Sequence, residues 1–134
     1  MQRVTGINQE ATNRLLAEAL PLLTQAARDF AVQVRVFVTT CRSGKANHKT
    51  SLVRIPDFVF KDSVNFCGKG MIGGGPAFAA YYLAHELAHV KAATGTHNSR
   101  FMEAFKALCP PELQWYETIY KPKRAAAAGI VVAA

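Results

Sequence analysis

At 134 residues, half of them hydrophobic, the chain has the size of one domain with one core, and it needs no disulfide or other staple to hold that core. No apolar run reaches the roughly eighteen residues of a spanning helix, and the three cysteines (Cys41, Cys67 and Cys109), far apart and without a CxxC pair, fit neither a disulfide framework nor a thiolate zinc ribbon. A formal charge of +7 favours acidic partners, whether nucleic acid or an acidic protein surface, without specifying a site.

Residues 8 to about 30 predict an amphipathic helix, because Leu15, Leu16, Ala19, Leu20, Leu23 and Ala26 recur at spacings of three and four. Pro21 lies inside that pattern and either kinks the helix or divides it in two. Residues 32–40 (VQVRVFVTT) read as a strand with Val32, Val34, Val36 and Val38 on one face. A polar loop is expected over 41–49, then a second strand over 50–60, where Pro56 marks an edge, a bulge or a break. Both strands need helices to pack on, since a two-stranded ribbon alone is marginal.

Residues 61–75 read as a loop ending in Gly73-Gly74-Gly75, a run that lacks the lysine and spacing of a phosphate-binding loop and is expected to form a flexible rim. Pro76 suits the first position of a helix predicted to run to Thr94, with Gly95 as its C-cap. Asn98 can cap the next helix, 99 to about 108, whose apolar stripe is Phe101, Phe105 and Leu108. Pro110-Pro111 ends it. Residues 112–120 form a short aromatic element, helix or strand. Lys121-Pro122-Lys123-Arg124 is the one dense basic cluster, and 125–134 is an alanine-rich tail expected to be disordered or loosely docked. The expected organisation is therefore one α+β domain over 1–124 and a tail over 125–134. The three thiols read as buried or half-buried groups in a reducing compartment.

The chemistry lies in His85-Glu86-Leu87-Ala88-His89, an HExxH motif inside the strongest predicted helix. Residues four apart stand one turn apart on one helix face, so the two imidazoles can reach one zinc ion. Phe78, Tyr82, His85 and His89 share that stripe, while Leu83, Leu87 and Val90 occupy another. Glu86 stands beside the histidines, where its carboxylate can approach an activated water without binding the metal. A catalytic zinc takes three protein ligands and keeps one position open. His97, eight residues after His89, is the expected third ligand, since Gly95 would let the chain turn back. Glu103 on the following helix is the rival. His48, in a polar loop, receives no role.

The stretch 85–105 (HELAHVKAATGTHNSRFMEAF) resembles the SprT-like, WLM and YgjP-like zinc metallopeptidases, which join HExxH to a downstream histidine, a polar residue and a phenylalanine on the next helix. Here these are His85-Glu86-x-x-His89 and His97-Asn98-Ser99-Arg100-Phe101. The resemblance implies zinc ligands His85, His89 and His97, Glu86 as general base, and a minimal zincin-like α+β fold: N-terminal helix, small sheet, HExxH helix and C-terminal helices. The gap of eight differs from the six usual in WLM and YgjP-like patterns, from the longer SprT gap and from the fixed spacing of metzincins. The zinc ribbon of some SprT members is missing. Zincins commonly hold substrate backbone on an edge strand, and residues 51–60 are either a candidate for it or an ordinary packed strand. Tyr116 or Tyr120 could face the site, or belong to the core.

The expected activity is hydrolysis of peptide bonds in a protein or peptide substrate with Zn2+ as cofactor, including proteins bound to DNA if the basic charge engages it. The alternative is a nucleic-acid-associated binding protein with a structural, non-catalytic zinc closed by a fourth ligand. Residues 1–10 lack an apolar signal core, which points to the cytoplasm, the host's for a viral protein.

Overall fold

The computed structural model describes residues 4–41, 43–66, 68 and 71–130. Its first segment is not one helix. Helix α1 (Gln9–Arg14) starts where the Asn8 side chain accepts the Ala11 N–H. The chain then widens into a π turn over Leu15–Ala19 and tightens into a 3-10 turn over Leu20–Leu22. Pro21 has no N–H to continue the ladder, so the chain extends at Leu23 and restarts as α2 (Gln25–Ala31). The cap of α2, Thr24, also fastens it across the molecule: its hydroxyl donates to the Ala107 carbonyl at 2.8 Å.

Strand β1 (Arg35–Thr39) starts later than expected because Val32 is still the C-cap of α2 and lies 86 % exposed. Val34, Val36 and Val38 are buried as their alternation requires. Two strands follow, β2 (Lys45–Asn47) and β3 (Leu52–Pro56). The sheet order is β1-β3-β2, with β3 parallel to β1 and antiparallel to β2. Two expectations are corrected here. The polar segment 41–49 contains a strand, and the second predicted strand is central, not an edge. Polarity hid β2 because an edge strand exposes Lys45 and Asn47 to solvent. Pro56 does not break β3 but ends it, opposite Thr39, and a 3-10 turn follows over Asp57–Phe60.

The expected loop 61–75 carries a small antiparallel pair, β4 (Val64–Asn65) and β5 (Met71–Ile72). Its last residue, Gly75, has φ 133°, open in practice to glycine alone, and donates its N–H to the Val59 carbonyl at 2.7 Å. That fixes the glycine run at its helix end, and Pro76 then opens α3 (Pro76–Lys91). Helix α3 is the axis of the fold. It contacts α2, the turns around Pro21, β2, β3, the 57–60 turn and the C-terminal helices. Twelve of its side chains are consequently buried, on every face, and Phe78 is a core residue rather than part of a functional stripe.

The end of α3 is a Schellman turn. The Ala93 N–H reaches the Val90 carbonyl, and the Thr94 N–H reaches that of His89, both at 3.1 Å. The left-handed residue is Ala93 at φ 52°, not the expected Gly95. Helix α4 (Ser99–Leu108) is capped by Asn98 as expected and buries Phe101, Met102, Phe105 and Leu108. The aromatic element resolves into α5 (Pro111–Gln114) and α6 (Tyr116–Tyr120). The basic cluster opens α7 (Pro122–Ala127), which crosses the expected boundary at 124, and both Ala125 and Ile130 are buried. Residues 131–134 of the expected tail lie outside the described residues, as does Cys67. Cys109 is buried and Cys41 half-buried. Among the described residues, no helix is long and apolar enough to cross a membrane.

Candidate metal centre

His85 and His89 stand one turn apart on α3, with ring centroids 5.3 Å apart. The Schellman turn sends the chain back over them and delivers His97. The His85 and His97 Nε2 atoms come within 3.1 Å, and the His89 and His97 ring centroids within 4.8 Å. One ligand atom from each ring fits inside a 4.8 Å cluster that could hold a metal ion. The same turn orients His89. Its Nδ1 lies 2.9 Å from the Thr94 carbonyl, which only accepts, so Nδ1 carries the proton and Nε2 is left with a free lone pair. Thr94 and Thr96 tie the loop to itself through their hydroxyls at 3.0 Å. Beneath, the buried Phe101 ring packs on all three imidazoles, at 4.9, 4.5 and 4.8 Å from His85, His89 and His97.

Burial, then repulsion from His85, Arg124 and the neighbouring His89, lowers the His97 pKa to about 4. Burial also lowers that of His89, more than its bond to Thr94 restores. Both rings are therefore neutral at neutral pH, the form that binds a metal.

Glu86 lies beside the histidines and reaches toward Gly44, just before β2. It is buried, and its Oε2 has no hydrogen-bond partner. Burial raises its pKa, and nearby His85 only partly offsets this. Gly44, just before β2, closes over it. A Cβ there would meet the Tyr82 ring at 2.3 Å and the Glu86 carboxyl carbon at 3.2 Å. The Gly44 N–H donates to the Tyr82 hydroxyl at 2.7 Å. Glu86, the histidines, Ser43, Gly44 and Tyr120 share the wall of one cavity of about 310 Å³.

A residue outside the sequence expectation completes the centre. Glu117 on α6 is fully buried and accepts from the Tyr81 hydroxyl at 2.6 Å and from Arg124 Nη2 at 3.2 Å. Its Oε1 also lies 3.6 Å from His85 Nδ1, a buried nitrogen with no hydrogen-bond partner of its own. Burial alone would raise the Glu117 pKa, but His85, Tyr81 and Arg124 outweigh it and bring it down to about 2. Burial and this carboxylate together push the Tyr81 phenol well up. The sequence signal was an acid set inside WYETIY, where an apolar face offers a carboxylate no water.

Glu103, the rival ligand, is exposed on α4 and outside the cluster. His48 is half-buried in the β2–β3 turn. Tyr120 lines the cavity, with its ring 5.8 Å from that of His85, whereas Tyr116 packs into the aromatic core against Phe78 and Tyr81. No protein-family model matches this sequence, and no curated protein and no solved structure matches it significantly.

Proposed function

We propose that the chain is a zinc-dependent peptidase of the minimal HExxH kind, the reading its resemblance to SprT-like, WLM and YgjP-like enzymes implies. One observation carries it: His85, His89 and His97 converge beside the unpaired carboxylate of Glu86 in a single cavity. Zinc–imidazole bonds of about 2.0–2.1 Å in a tetrahedron separate the nitrogens by roughly 3.3 Å, close to the 3.1 Å between His85 and His97. Three imidazole donors with one side open to a cavity suit a catalytic zinc. A structural zinc needs a fourth protein ligand, and Glu103 is not near enough to supply it.

A zinc ion held there supplies Lewis acidity, which polarises a carbonyl and makes water acidic near neutral pH. The chain's own residues do the rest. Glu86 takes the proton of the attacking water as the oxygen bonds to the scissile carbonyl carbon. It returns that proton to the amine nitrogen as the C–N bond breaks. Its raised pKa makes it a stronger base for the first of these transfers. Strand β2 takes the place first expected of residues 51–60. It is the edge strand beside α3, it starts next to Glu86, and its free edge can add a substrate strand.

The test is Glu86→Gln. The variant is expected to bind one equivalent of zinc, by elemental analysis, and to lose about 100-fold or more of its hydrolysis of unfolded casein. Full activity in that variant would refute the mechanism.

A further inference from the structure

The lining of a second concavity begins, along the chain, where that of the first ends. Ser43 and Gly44, just before β2, line the metal cavity, and Lys45 and Asn47 of β2 with His48 and Lys49 of the turn after it line the second. The turn after α3 reaches both, with His97 lining the first and Gly95 the second. The second concavity has a volume of about 500 Å³, and no acidic side chain is among its described lining residues.

Its charges are not explained by the fold. Lys45 stands directly opposite Arg54 in the β2–β3 register, so two cations share one face of an antiparallel pair. Like charges in that position destabilise a sheet. Among the described residues the ion pairs are Arg14–Glu18, His85–Glu117 and Arg124–Glu117, so Lys45, Lys49 and Arg54 are all without an acidic partner.

We propose that this basic extension is a subsite for acidic side chains of the substrate, Glu or Asp, about two to four residues amino-terminal to the cut bond. The position rests on the peptidase reading; the affinity for acidic peptide does not. A strand advances about 3.3 Å per residue, so Lys45 to Asn47 face a substrate strand about 3–10 Å from the Gly44 end. Antiparallel addition, the commoner pairing, runs the substrate from Asn47 toward Gly44 and puts its amino-terminal side on the cations. A polypeptide fits better than a nucleic acid. The concavity flanks the edge strand β2, whose backbone groups match a peptide's, and the one ring among its described lining residues is the half-buried His48 imidazole, where a single-strand groove lines up several stacking rings.

The experiment measures binding of fluorescein-labelled twelve-residue peptides to the zinc-loaded Glu86→Gln protein by anisotropy. Three peptides carry three Glu, three Gln or three Lys amino-terminal to the centre, and a fourth carries three Glu on the carboxy-terminal side. The amino-terminal Glu peptide is expected to bind at least about tenfold tighter than its Gln counterpart at low salt, an advantage that fades as salt is raised. Added Lys45→Glu and Arg54→Glu should abolish it. Added Arg28→Glu and Lys123→Glu, which change net charge equally elsewhere, should preserve it. Equal binding of the Glu and Gln peptides, equal loss in the control, or preference for the carboxy-terminal Glu peptide overturns the assignment. So does a DNA duplex that binds more tightly through the same two cations. Equal cleavage of Glu and Gln peptides by the unsubstituted protein overturns the subsite and leaves the peptidase standing. Selective acidic binding without any cleavage upholds the subsite and removes the peptidase.

Discussion

Glu117→Gln isolates the part of the centre that no motif announced. The carboxylate is fully buried, and its pKa of about 2 against an ordinary 4.5 corresponds to about 3 kcal/mol of stabilisation of the charged form. An amide keeps an oxygen for the Tyr81 hydroxyl but removes the charge that faces Arg124 and His85. Removing one partner of a buried pair commonly costs about 3–5 kcal/mol. The Arg124 side chain is 21 % exposed, so water softens the loss, and about 2–3 kcal/mol is expected in urea denaturation of the metal-free variant at pH 7. A folded-state pKa below the unfolded one stabilises the protein above pH 4.5 and stops doing so as the pH falls toward 2. The stability difference between the two proteins should therefore be full at pH 5–7 and about halved by pH 3. Zinc affinity, by competition with a chromophoric chelator, should fall about 10–100-fold, the usual effect of losing a carboxylate behind a ligating histidine. A variant within about 0.5 kcal/mol at pH 7 with unchanged zinc affinity, or a difference undiminished at pH 3, defeats the argument.

His97→Ala should purify without stoichiometric zinc, whereas Glu103→Gln should keep its zinc; the reverse result would make Glu103 the third ligand. Gly44→Ala places a methyl group where the Tyr82 ring now lies and should cost about 1–3 kcal/mol while slowing peptide hydrolysis at saturating zinc, both measurable on one preparation. Unchanged stability and turnover would mean that the Gly44–Tyr82 contact does not shape the cavity.

What the sequence disclosed follows the range of the interactions involved. His85, His89 and Glu86 sit within one helical turn, so the spacing alone put them on adjacent positions of one element. The Asn98 cap is equally local, and His97 sits one residue before it. The end of α3 was misplaced because glycine is the usual left-handed residue, and here Ala93 takes that conformation while two backbone hydrogen bonds hold it there. Strand β2 was hidden because an edge strand of three residues with two of them in solvent has no apolar alternation to show. The placement of β3 at the sheet centre depends on β2, so one omission caused the other. Glu117 was beyond reach for another reason: its partners Tyr81 and His85 are more than thirty residues away in the chain, and pairwise burial leaves no periodic trace.

The hydrogen-bond demands of the three rings argue for a cation more strongly than their proximity does. Thr94 fixes the His89 proton on Nδ1. Glu117, a buried acceptor held ionised, calls for the His85 proton on Nδ1 as well, which turns the His85 Nε2 lone pair toward His97 Nε2 at 3.1 Å. If His97 donates there, the His85–His97 pair is satisfied but the His89 lone pair is not. If His97 instead presents its own lone pair, three acceptors meet in a half-buried space and repel. Protonating His97 would relieve that, but burial and mutual repulsion keep it neutral until about pH 4. One divalent cation accepts all three lone pairs and leaves the His89 Nδ1 proton on the Thr94 carbonyl. The carbonyl behind His89 thus selects the tautomer that faces a metal, and the carboxylate 3.6 Å behind His85 favours the same one there.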